Sequence, residues 1–140
     1  YTLDDLLGGA LDPHKFCKPV VKTPADRDAL REAALNAHPK LMFGSDSAPH
    51  PRTAKRDHGA AGVYSAPVLL PKLAEFFEQH SCLHNLPSFV SYNARALYHY
   101  EPTERTVVLR KESWTVPEVC PGDVVPMCAG ERMWWRVVEA

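Results

Sequence analysis

The chain has 140 residues, 45 % hydrophobic and 24 % charged, with 16 basic and 17 acidic side chains for a net charge of -1. That composition suits one small domain with a real core and excludes a disordered chain. The charge balance argues against a surface built to collect nucleic acid or anionic lipid. No apolar stretch approaches the roughly 20 residues that cross a bilayer, and the start Tyr1-Thr2-Leu3-Asp4-Asp5 has neither the basic region nor the apolar core of a signal peptide, so a cytoplasmic location is expected.

In chain order, Phe16-Cys17-Lys18-Pro19-Val20-Val21 follows a Gly8-Gly9 breaker and Asp12-Pro13, and is expected to form a buried strand. A helix should follow at once: Thr23 is the N-cap, Pro24 the first helical residue, and Asp26 the acid that reaches back. Leu30, Ala33, Ala34 and Ala37 repeat along one face, and His38-Pro39 ends the helix. Leu41-Met42-Phe43-Gly44 is a second apolar run, expected as a strand covered on both faces.

Leu69, Leu73, Phe76 and Phe77 predict a helix with one apolar face and Pro71 in its first turn. Leu86, Phe89, Val90, Ala94 and Leu97 predict another, with Asn85 as its cap. Beyond Pro102, Thr106–Leu109 and Arg132–Val138 read as short strands around a proline-rich loop. Two strand–helix units joined by short loops imply a parallel sheet, and two parallel strands leave edges unpaired and a face uncovered. The expected fold class is therefore α/β: the last two units of a (β/α)8 barrel of the TIM type, residues 1–100, followed by a strand-containing extension, residues 101–140. The start at Tyr1, without an initiator methionine, points to processing or to an excerpt of something longer.

The densest chemistry lies in "FGSDSAPHPRTAK", residues 43–55. In parallel α/β proteins, functional groups collect at the C-terminal ends of strands, and Asp46 stands just past an apolar run. A carboxylate there ligates a metal or acts as a general base; its bland alternative is a turn cap. His50, stiffened between Pro49 and Pro51, binds an anionic group or is simply exposed. Arg52, Lys55 and Arg56 add positive charge that suits a carboxylate substrate or any solvated loop. Gly59-Ala60-Ala61-Gly62 permits close backbone approach to a ligand, or serves as a hinge.

Other candidates are weaker. His14 precedes the first expected strand, and His80 and His84 straddle an inter-helix link, a poor arrangement for a metal. The four cysteines, Cys17, Cys82, Cys120 and Cys128, are scattered without metal-ligand spacing and read as free thiols. The tryptophans of the last segment read as packing groups rather than a stacking platform.

Taken together, "FCKPVVK", "FGSDSAPHPRTAK", "AAGVYSAPVLLPKLAEFFEQ", "LPSFVSYNARALYHY", "SWTVPE" and "VVPMCAGERMWWRV" resemble, in order, the C-terminal half of single-function dihydroorotases of the amidohydrolase superfamily. The resemblance implies a (β/α)8 barrel and the zinc-dependent, reversible interconversion of dihydroorotate and N-carbamoyl-aspartate in pyrimidine synthesis. It further implies that Asp46 ligates one of two zinc ions and transfers the proton. By the same resemblance, His50 and the backbone at Ala61 contact the substrate carboxylate, and Lys18 contacts the substrate ring through its main chain. Bacterial relatives often have leucine at the position of Lys18 and cysteines where Asp57-His58-Gly59-Ala60 stand.

The family's remaining zinc ligands, a His-x-His pair, a carboxylated lysine and two further histidines, would lie upstream of Tyr1. The expected enzyme is thus a dihydroorotase whose present segment is inactive alone, acting on a small molecule, without nucleic-acid or membrane partners, as a homodimer. The alternatives are a non-catalytic dihydroorotase-like protein with a structural or interaction role, and a freestanding α+β binding domain.

Overall fold

The computed structural model describes residues 1–139. Five α-helices occur among them: α1 (Leu3–Leu7), α2 (Pro24–Leu35), α3 (Arg52–Asp57), α4 (Leu69–Gln79) and α5 (Asn93–Tyr98). The strands are short: β1 (Val108–Arg110), β2 (Trp114–Thr115), β3 (Arg132–Met133) and β4 (Arg136–Glu139). No helix among the described residues is long and apolar enough to cross a membrane.

The chain divides into two compact units. The first comprises residues 1–29, 45–68 and 115–131, and the second the described residues of 30–44, 69–114 and 132–139.

In the first unit, α1 begins at a capping box: the Thr2 amide donates to Asp5 Oδ2 at 2.7 Å. The Thr-x-x-Asp signature of this helix stands in the sequence, although the apolar pattern there is too short to announce it. The Leu3 amide donates to the Lys22 carbonyl at 2.9 Å, which ties α1 to the segment leading into α2. Leu6, Val68, Val116, Val124 and Cys128 are buried. At the start of α2 the expected cap is present: the Thr23 amide and hydroxyl both donate to Asp26 Oδ2, at 3.0 and 2.6 Å.

The second unit holds the larger apolar cluster, in which Ala34, Ala74, Phe77 and Leu86 are buried against Leu41, Leu73, Phe89 and Trp135 among others. The Phe77 and Phe43 rings each meet that of Phe89, with centroids 5.7 and 5.8 Å away. Helix α4 starts at Leu69, which places Pro71 in the first turn, where its missing amide costs no hydrogen bond. The stretch that leads into α5 contains a π-helical segment, Ser88–Tyr92. Strands β1 and β4 pair antiparallel, with Leu109 opposite Val137.

Three expectations are corrected. Residues 16–21 and 41–44 form no strand, and no parallel sheet exists among the described residues. A parallel strand needs a ladder partner beside it. Here the Phe16 carbonyl instead accepts from the Gly62 amide at 2.9 Å, and the Phe43 amide donates to the Phe89 carbonyl at 2.9 Å. Asn85 is not a cap: its side-chain amide donates to the Leu35 carbonyl at 2.8 Å, satisfying the end of α2 instead. The apolar face predicted for α2 is covered only in part: Ala34 is buried and Ala33 and Ala37 are half-buried, while Leu30 is 64 % exposed.

Candidate active site

All the residues predicted for the site fall in the first compact unit. The loop that carries them is shaped by its own side chains. Asp46 takes a left-handed backbone conformation, φ 39°, which aspartate tolerates better than most residues. Its carboxylate is exposed and makes no hydrogen bond or ion pair among the described residues. The next residue fixes the turn: Ser47 Oγ accepts from the amides of Ser65 and Ala66 at 3.1 and 2.9 Å. The Ala48 amide donates to the Val63 carbonyl at 3.0 Å. Asp46 is therefore not the cap of this turn; Ser47 is.

His50 is half-buried, and its Nε2 donates to the Ala61 carbonyl at 3.1 Å. Because a carbonyl only accepts, that contact places the proton on Nε2 and leaves Nδ1 as the ring atom available to a ligand. The close approach depends on Gly62. A Cβ there would stand 2.6 Å from Ala48 Cβ and 3.0 Å from His50 Cδ2. The small-residue run thus supplies close packing at Gly62 rather than a free hinge.

Lys55 departs from expectation most sharply. The sequence presents it as one of three loop charges, yet it lies on α3 and is only 4 % exposed. Its Nζ donates to the Phe16 carbonyl at 2.9 Å and to the Gly62 carbonyl at 2.6 Å. Burial holds this amine below the ordinary lysine range. No local pattern reveals such a role, because its acceptors are backbone carbonyls, which any residue supplies.

Arg52 is also committed. Its Nε donates to Asp123 Oδ1 at 2.8 Å and its backbone amide to the Asp123 carbonyl at 2.9 Å. That guanidinium holds the Asp123 carboxyl below the usual aspartate range. Of the three loop charges, Arg56 alone is both exposed and without a hydrogen bond or ion pair among the described residues.

Lys18 is exposed on the segment after Phe16, and the Gly62–Phe16 hydrogen bond brings that segment to the Ala61-Gly62 backbone. Three pieces of chain, at Phe16–Lys18, Asp46–His50 and Ala61–Gly62, thus converge.

His80 Nδ1 donates to the Phe76 carbonyl at 2.8 Å, and His84 is exposed. His14 is half-buried, which pushes its imidazole below the ordinary value. Among the described residues no three His, Cys, Asp or Glu side chains gather as a metal would require.

No protein-family model matches the chain. The dihydroorotase of Helicobacter hepaticus is 47 % identical to it over 143 residues, which cover 99 % of this chain and 42 % of that protein. The crystal structure of the Campylobacter jejuni dihydroorotase superposes with a TM-score of 0.88 at 45 % identity, over 98 % of this chain and 41 % of that one.

Nearly the whole chain is similar to one part of a dihydroorotase.

A dihydroorotase from Saccharomyces cerevisiae, crystallised with 5-fluoroorotic acid, extends the likeness to a TM-score of 0.89 at 37 % identity, over 99 % of this chain and 40 % of that one. The chain spans about two-fifths of the length of the dihydroorotases it matches.

Proposed function

We propose that this chain is the C-terminal part of a dihydroorotase and supplies the proton-transferring and carboxylate-binding side of its active site. The reaction is the reversible hydrolysis of the cyclic amide of dihydroorotate to N-carbamoyl-aspartate. The observation that carries the reading is the joining of His50 to Ala61 beside an exposed, unengaged Asp46, in a chain whose whole length is dihydroorotase-like.

In this reading a water molecule adds to the ring amide carbonyl and gives its proton to Asp46, which returns it to the nitrogen as the ring C–N bond breaks. A carboxylate without internal partners is free to do both. A carboxylate only accepts, so His50 meets the substrate carboxylate as the imidazolium, donating Nδ1–H to it while Nε2–H is held by the Ala61 carbonyl. The backbone at Ala61 and at Lys18 fixes the substrate from two further directions, so that orientation contributes to the rate.

The barrel frame of residues 1–100, the extension 101–140, two zinc ions, a cytoplasmic location and a homodimer belong to the same proposal. Because the described residues gather too few donors for zinc, this reading draws the rest of the ligand set from chain outside residues 1–140, and residues 1–140 alone are expected not to hydrolyse dihydroorotate.

The test is steady-state hydrolysis of dihydroorotate by the full-length protein that carries this chain. Asp46→Asn should lower kcat by about 10²–10⁴-fold. A wild-type protein that is folded and inactive would overturn the enzymatic reading and favour a non-catalytic relative. An Asp46→Asn variant within threefold of wild type would overturn the role of Asp46 alone.

A further inference from the structure

We propose that Lys55 is a positioning residue for substrate binding, whose ammonium ties together the two stretches of backbone that receive the substrate. The inference rests on the functional reading above and adds a residue that none of its roles includes.

Burying a lysine ammonium is unfavourable, and it is tolerated where the charge meets a carboxylate or its protons are all well used. Lys55 is buried, yet among the described residues it has no ion-pair partner. What it does have is two carbonyls from distant places in the chain, Phe16 at 2.9 Å and Gly62 at 2.6 Å.

These are not arbitrary points. Gly62 adjoins Ala61, whose carbonyl receives His50 Nε2, and Phe16 lies two residues before Lys18. The Gly62 amide donates to the same Phe16 carbonyl that Lys55 holds, closing a three-way junction. A charged donor makes stronger hydrogen bonds than a neutral one, and its three protons serve several acceptors from one point. Lys55 thus holds in register backbone that would otherwise be joined by one amide hydrogen bond.

A residue of merely structural importance would lower the folded fraction and leave the KM of the folded enzyme unchanged. Positioning predicts a different split. In the metal-loaded full-length protein, Lys55→Met should raise the KM for dihydroorotate about tenfold to a hundredfold while kcat stays within about threefold. In the same variant, hydrogen exchange at the Gly62 amide should accelerate. Lys55→Arg, which keeps a charged donor, should recover part of the lost KM, and it stands in for the first variant if Lys55→Met does not fold.

An unchanged KM in folded Lys55→Met would overturn the proposal, as would unchanged exchange at Gly62. If Lys55→Met does not fold, the folded Lys55→Arg is read in its place: a raised KM together with faster exchange at the Gly62 amide would support the tether, whereas unchanged KM or unchanged exchange would overturn it. Wild-type turnover, measured first, separates the two ideas: its absence removes the functional reading, and the substrate role of Lys55 falls with it.

Discussion

Gly62→Ala tests most directly the packing on which the site depends. The added Cβ would lie 2.6 Å from Ala48 Cβ, 2.9 Å from the Ala48 carbonyl oxygen and 3.0 Å from His50 Cδ2. Carbon atoms ordinarily rest about 3.5–4.0 Å apart, so the first contact alone overlaps by about 1 Å. Two of the three obstacles are a backbone oxygen and the first side-chain carbon of its own residue, and neither can swing away. Overpacking of this kind costs about 1–3 kcal/mol. Gly62 also has φ 150°, on the side of the map that glycine favours, and strained backbone adds about 1–3 kcal/mol.

Gly59→Ala is the control, since Gly59 has φ 61° but a methyl group added there would meet nothing within 4 Å. It should lose only about 1–2 kcal/mol, from left-handed backbone. Denaturant unfolding of the full-length protein reads both, with the midpoint shift taken at unchanged slope. Gly62→Ala should be the more damaging by about 1–3 kcal/mol, and the surviving folded enzyme should have a lower kcat/KM because His50 has moved. Equal losses from the two substitutions would refute the packing argument.

Two further predictions concern the second unit. Phe77 is fully buried at 0 % exposure among Phe76, Phe89 and their neighbours, so Phe77→Ala should cost about 3–5 kcal/mol by the same unfolding assay. A loss below about 1 kcal/mol would mean that the site collapses around the missing ring. Glu78 accepts from Lys111 Nζ at 2.6 Å and from Trp135 Nε1 at 3.0 Å, and these donors, Lys111 first, hold its carboxyl below the ordinary glutamate value of 4.5. A depressed carboxyl stabilises the fold fully above its unfolded value, and this contribution is lost as pH falls from about 4.5 through the folded value. Wild type should therefore lose more stability than Glu78→Gln between about pH 7 and about pH 3; parallel acid profiles would rule the linkage out.

What the sequence determined by itself was local chemistry. The Thr23–Asp26 cap, the start of α4 two residues before Pro71, and the crowding of aspartate, histidine and small residues into residues 43–62 all depend on neighbours within a few positions. Such signals survive whatever the rest of the chain does. The motif order likewise exposed the dihydroorotase likeness.

Tertiary structure decided what each piece is joined to. An apolar run such as Leu41–Gly44 satisfies the pattern of a buried strand, but a strand exists only with a partner, and its Phe43 amide bonds to the Phe89 carbonyl instead. Asn85 satisfies the pattern of a cap but serves the carbonyl of Leu35, 50 positions away. Lys55 reads as a surface charge until folding places the carbonyls of Phe16 and Gly62 around its ammonium. A hydrogen-bond acceptor on the backbone has no residue type, so the sequence carries no mark of it, and only the folded chain shows which carbonyl a buried amine will find.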